Sequence, residues 1–193
     1  MAMYFLKSVP KSAKSAPEIP IFAPMTSLPT TSAAFTGHRT YRHEADESLR
    51  RIIRALYDSG IRSFLSGMAV GFDLAAAEAV LDCRKSLSDI RLVAVIPFRG
   101  QQQRFSSTDR ARFDRICAEA DETIVLSESY NSGVYAVRNN YLVAHAATLI
   151  TWYNGSAGGT RYTIEQAIAR GRRLIHLHPA TPAAVRPMPE LFR

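Results

Sequence analysis

The sequence predicts an α/β fold, a Rossmann-like, doubly wound and mostly parallel sheet of about six strands with helices on both faces. Three observations carry that reading. Short apolar runs alternate with helical periodicity from Ala33 to Leu177, the connections between them are short, and the run Ile90–Phe98 is continuously apolar in its middle. A strand covered by helices on both faces has that pattern.

Taken in order, Ala33–Thr36 reads as a buried first strand. Ala45–Ser59 places Leu49, Ile52, Ile53, Leu56 and Tyr57 on one face of a helix that Gly60 ends. Ile61–Leu65 is the second strand and Phe72–Cys83 the second helix, whose Ala75, Ala76, Ala77 and Ala79 leave room for close packing on a sheet. Ile90–Phe98 is the third strand, Thr108–Ala120 a helix, Glu122–Leu126 the fourth strand and Gly133–Ala147 a helix. Thr148–Tyr153 is the fifth strand, Asn154–Gly159 a loop, Thr160–Arg170 a helix stopped by Gly171, and Leu174–Leu177 the sixth strand.

Residues 1–32, rich in Pro, Ser, Ala and Thr and without periodicity, read as a disordered extension. An organellar transit peptide and a true start at Met25 are the two alternatives for this segment. Residues 33–179 form the Rossmann-like domain and 180–193 a proline-rich tail. With 193 residues, 47% hydrophobic and 21% charged, the chain suits one globular domain rather than two. The charge of +7, mostly from arginine, favours forked donors for phosphate or carboxylate. Cys83 and Cys117 lack CxxC spacing and read as reduced, buried thiols of a cytoplasmic protein. Apolar runs such as Leu92–Phe98 are too short to span a bilayer.

In open parallel sheets ligands bind beyond the carboxyl ends of the strands. The unusual residues cluster there: Thr36-Gly37-His38-Arg39 after the first strand, Ser66-Gly67-Met68 through Gly71 to Asp73 after the second, Pro97-Phe98-Arg99 after the third. Asn154 to Gly158-Gly159-Thr160 follows the fifth. Four loops are therefore expected to converge on one rim, with small residues admitting a ligand and Thr36, Ser66, Thr160 and Thr163 offering hydroxyls. Any one glycine after a strand is ordinary turn chemistry. Gly158-Gly159-Thr160 entering a helix is the most informative, because a glycine turn at a helix N-terminus cradles phosphate.

No lysine follows those glycines and Gly67-x-x-x-Gly71 is not GxGxxG, which argues against a P-loop NTPase and a standard dinucleotide dehydrogenase. Asp73, in a first helical turn, complements the helix dipole and is also placed to accept ribose hydroxyls. Arg138 stands in an otherwise apolar or neutral helix and suits a phosphate contact. His145, His176 and His178 have no metal-ligand spacing, so no metal is expected.

Together "AAFTGHR" (33–39), "SGMAVGFDLAAAE" (66–78), "VIPFRGQQQRF" (95–105), "YAVRNNYLV" (135–143) and "GGTRYT" (158–163) resemble the SLOG superfamily, in particular its YpsA-like branch. The resemblance runs in order from Ala33 to about Pro179. The superfamily includes the LOG phosphoribohydrolases and the DprA proteins, which bind single-stranded DNA. It implies a site for a nucleoside monophosphate or a compound such as ADP-ribose, involving Arg138, Asn139, the second-strand loop and the glycine turn. A homodimer is also implied.

The turn departs from the hydrolase pattern. Thr163 stands where the LOG enzymes carry a glutamate, and Glu165 falls two residues later on another helix face. Phe105 replaces a tryptophan usual in the branch, and Ala144 and Ala147 replace acids. The leading expectation is a nucleotide-binding or sensing module. The alternative is a phosphoribohydrolase-like enzyme with Arg138 positioning phosphate and Asp73 or Glu165 supplying the carboxylate; a nucleic-acid binder ranks third, for want of a basic groove interleaved with aromatics.

Overall fold

A computed structural model describes residues 31–180. Six strands form one parallel sheet: β1 (Ser32–Gly37), β2 (Ser63–Ser66), β3 (Arg91–Ile96), β4 (Glu122–Val125), β5 (Thr148–Trp152) and β6 (Arg173–His176). Their spatial order is β4-β3-β2-β1-β5-β6. Every neighbouring pair is parallel, with Thr36 opposite Thr151 and Gly37 opposite Trp152 where β1 meets β5. The chain winds outward from β1 to β4, then crosses back to β5.

Five helices connect the strands: α1 (Asp46–Asp58), α2 (Phe72–Arg84), α3 (Ser107–Glu119), α4 (Val134–Ala144) and α5 (Gly159–Ala169). On α1, Leu49, Ile52, Ile53 and Leu56 are buried at helical spacing, while Asp46 and Glu47 complement the positive end of the helix dipole. The alanines of α2 are buried nearly all round, which lets it lie between α1 and α3 and close to the strands. Ser106 caps α3, its hydroxyl oxygen accepting the Asp109 N–H at 3.1 Å.

Two apolar cores result. One packs α1, α2 and α3 on one sheet face around Phe35, Phe64 and Phe72; the other packs α4 and α5 on the opposite face around Leu65, Leu142 and Ile164. Neighbouring residues point alternately into the two cores, as the period of a strand requires.

The expected elements are all present, with shifted ends. Ser32, assigned to the extension, is the fully buried first residue of β1. Helix α4 stops at Ala144 rather than Ala147: the His145 ring stacks on Tyr141 at 3.9 Å and the Ala147 N–H already donates to the Ser32 carbonyl. Pro97 and Phe98 bend away from β3, and a short 3₁₀ turn, Gln101–Arg104, follows. Cys83 is buried but Cys117 only partly so, and both are free. The rest of the extension, up to residue 30, and the tail beyond residue 180 lie outside the described residues. Among the described residues no helix is long and apolar enough to cross a membrane.

Candidate functional site

The sheet order reverses direction between β1 and β5, so helices leave to opposite faces and a crevice opens beyond the carboxyl ends of these strands. A cavity of about 340 Å³ occupies that crevice, at the small end of the range for small-molecule sites. Thr36, Gly37, His38 and Arg39 line it from the end of β1. Ala69 comes from the β2–α2 connection and Asp73 from the first turn of α2, Tyr135, Arg138 and Asn139 from α4, and Gly159 and Thr160 from the start of α5.

At the floor Arg138 and Asp73 meet. The Arg138 Nη1 lies 3.3 Å from Asp73 Oδ2 and also donates to the Gly67 carbonyl, while its Nε donates to Asn139 Oδ1 at 2.8 Å. Asn139 in turn donates to the Gly159 carbonyl at 3.4 Å. Both charged side chains are more than nine-tenths buried. Arg138 is thus a structural cation at the base of the cavity, not the solvated surface residue usual for arginine. Gly67 is required where the guanidinium passes, since a Cβ there would stand 2.7 Å from Arg138 Cζ and 2.9 Å from Asp73 Oδ2.

Burial pushes the Asp73 carboxyl up to about 6, against the pull of Arg138, backbone hydrogen bonds with Ala69 and Gly37, and the charge of Arg39. Because the folded value exceeds the unfolded 3.8, the native state holds this proton more tightly. Its contribution to stability is full below about pH 4 and is lost as pH rises to about 6. Urea unfolding across this window should show the wild type losing stability relative to Asp73→Asn, and a pH-independent difference would contradict the assignment.

Around this pair the walls are polar and open. Thr36 and Thr160 are largely buried, and their hydroxyls make no hydrogen bond among the described residues. Arg39 is exposed at the mouth and likewise has no side-chain partner among the described residues. His38 accepts the Asn154 N–H at Nε2, 3.1 Å away, which ties the β1 loop to the β5 loop; burial lowers its pKa. Helix α5 begins at the cavity with no side-chain cap on its first N–H groups. Two arginines against one carboxylate, with hydroxyls and a helix N-terminus, make an arrangement that suits an anion bearing several oxygens.

Other expected site residues are placed elsewhere. Ser66 is fully buried, donating to the Asp73 carbonyl at 2.8 Å and accepting the Met68 N–H, so it shapes the turn. Met68 is core, with its carbonyl held by Gln101 Nε2 at 2.6 Å. Pro97 is buried outside the cavity, and Arg99 is paired with Glu128 at 2.7 and 2.8 Å, so the β3 loop does not join the rim. Gly71 packs beneath His38 and Arg39, and Gly158 precedes α5 without lining the cavity. The Thr163 hydroxyl donates to the Gly159 carbonyl at 2.8 Å, and Glu165 points outward to Arg161 at 2.7 Å.

Tyr135 and Ala69 line the cavity without having been singled out. Tyr135 precedes Arg138 by three positions, and that spacing puts both on one helix face. A second depression, about 240 Å³, lies among α1, α2 and α3, but its acids are engaged: Glu78 with Arg112 and Arg115, Asp82 with Lys85. No group of three or more His, Cys, Asp or Glu able to hold a metal occurs among the described residues.

Comparison with known proteins agrees with this architecture. The chain is 28% identical over 130 residues to the uncharacterized SPbeta prophage-derived protein YoqJ of Bacillus subtilis, covering 60% of this chain and 76% of that one. It is 24% identical over 121 residues to a UPF0398 protein of Bacillus velezensis, covering 61% and 66%. Among solved structures, DNA processing protein A (DprA) of Streptococcus pneumoniae superposes with a TM-score of 0.58 at 22% identity, over 76% of this chain and 50% of that chain. DprA of Helicobacter pylori, described with its single-stranded DNA binding mode, gives 0.54 at 17% identity, over 77% and 65%. The chain therefore spans between half and about three-quarters of the length of these proteins, and the DprA likeness is one of fold. The model of the YspA SLOG family matches residues 34–175, which takes in every strand but the ends of the first and last, and the chain belongs to that family.

Proposed function

We propose that the crevice between β1 and β5 binds a nucleotide-derived, phosphate-bearing ligand, of the size of a nucleoside monophosphate up to ADP-ribose or NAD, and that the chain acts as a binding or sensing module. One observation carries the reading: Thr36, Arg39, Thr160 and the open start of α5 bring unengaged donors to a single cavity whose floor holds a second arginine. Donors held in place before a ligand arrives lower the ordering cost of binding.

A second reading, cleavage of an N-glycosidic bond in a nucleoside monophosphate, draws on Asp73. It lines the same cavity and its carboxyl is pushed to about 6, a value suited to proton transfer near neutrality. Against it, Asp73 is engaged by Arg138 and backbone groups, and Glu165 faces away. Carrying over from the Helicobacter pylori protein, single-stranded DNA is a third ligand class to be tested.

Thermal melts of the full chain with AMP, ADP-ribose, NAD and a single-stranded oligonucleotide test the proposal, since a ligand of the native state alone raises the melting temperature. Stabilisation by a nucleotide with no free base released is the expected result. Arg39→Ala should weaken that binding roughly ten-fold or more, because a charge-assisted hydrogen bond is worth about 1.5–3 kcal/mol. Free base that disappears in Asp73→Asn establishes the second reading instead, and no shift with any nucleotide removes the first.

A further inference from the structure

Beside the cavity three aromatic rings converge from three parts of the chain: Phe98 after β3, Tyr130 in the β4–α4 connection and Tyr135 in the first turn of α4. Their centroids are 5.5 Å apart for Phe98 and Tyr130, 6.1 Å for Phe98 and Tyr135, and 6.2 Å for Tyr130 and Tyr135. Each contact is edge-to-face, the arrangement favoured by the ring quadrupole. Phe98 is buried and anchors the group, Tyr135 lines the cavity, and Tyr130 is 49% exposed. The Arg104 guanidinium lies over the Tyr130 ring, 4.8 Å from its centroid. Neither tyrosine hydroxyl is engaged among the described residues.

One ring thus belongs to both the polar cavity and the aromatic cluster, and the cluster ends in a half-exposed ring carrying an arginine. Glu128 is neutralised by the two-pronged contact from Arg99. A ligand reaching from the cavity over Tyr135 meets π surface and positive charge, which matches a planar aromatic heterocycle attached to a phosphate ester.

Resting on the phosphate reading above, we infer that Tyr130, Tyr135 and Arg104 form a stacking platform for the base of a nucleotide whose phosphate lies against Arg39 and Thr160. The same chemistry is offered by a free mononucleotide and by the end of a single strand.

Calorimetric titration of the full chain with ribose 5-phosphate and with AMP tests the platform. AMP should bind about ten-fold more tightly, the size of effect that one stacked base provides. Tyr130→Ala should abolish that preference while leaving the ribose 5-phosphate affinity unchanged, and Tyr130→Phe, which keeps the ring, should retain it. A preference unaltered in Tyr130→Ala overturns the platform while leaving the phosphate site standing, whereas failure of both compounds to bind overturns the two together. Thymidine monophosphate and a 5′-phosphorylated oligothymidylate separate the sources. Tyr130-dependent binding that tightens with strand length assigns the rings to a strand, and equal affinity assigns them to a mononucleotide; either supports the platform.

Discussion

An Arg138→Ala variant loses about 3–5 kcal/mol of unfolding free energy, the usual cost of removing one partner of a buried ion pair. The loss arises because Asp73, with a side chain only 5% exposed, loses its nearest counter-charge and must either stay ionised without it or take up a proton. The Gly67 carbonyl loses a donor at the same stroke. Urea unfolding monitored by circular dichroism measures it directly. The double variant Arg138→Ala, Asp73→Asn provides the decisive comparison: with no carboxylate left to strand, its loss should be smaller than the sum of the two single losses. Strict additivity would mean that the pair is not coupled and that Arg138 serves stability through its packing and its bonds to Gly67 and Asn139.

The second large effect is expected at Gly71. Its φ of +85° and ψ of −122° lie outside the regions open to side-chain-bearing residues, and a Cβ would stand 2.6 Å from the Arg39 carbonyl oxygen and 2.7 Å from that of His38. The obstacle is backbone, which cannot swing aside. Gly71→Ala should cost about 1–3 kcal/mol in strain and about 1–3 kcal/mol more in overlap. Gly171→Ala is the control: its φ is +63° and nothing lies within 4 Å, so only the left-handed penalty of about 1 kcal/mol applies. Equal losses at the two sites would mean that close packing under His38 and Arg39 contributes nothing. The stabilising effect of nucleotide should fall more in Gly71→Ala than its fold stability alone explains, because the displaced loop carries Arg39.

The fold was legible because local and global signals agree. Apolar strands and helical faces each report one period, and the α1 residues Leu49, Ile52, Ile53 and Leu56 are all buried as their spacing implies. Ends were less legible: nothing in Ala144–Ala147 forbids helix, and the stop depends on His145 stacking on Tyr141 and on β5 pairing with β1. The glycine loops after β1, β2 and β5 were readable as turns at one sheet edge. The pairing of Arg138 with Asp73 was not, because it joins α4 to α2 across 65 positions of sequence. Spacing also could not show that Arg99 is taken up by Glu128, which removes the β3 loop from the rim. The outward pairing of Glu165 with Arg161, four positions apart on one helix, was within reach of sequence reasoning.

The reversal of strand order between β1 and β5 has a kinetic consequence. Strands β1 to β4 and helices α1 to α3 are consecutive in the chain and close through neighbouring contacts, whereas Ala33 finds Thr148 only by closing a loop that spans most of the domain. Long loops raise the entropic barrier of the contacts that close them, so the β1–β5 seam is the pairing expected to form last. The cavity takes one wall from each side of that seam. A half-assembled chain therefore lacks the complete cavity, and on the proposed reading ligand binding would report that this seam has closed.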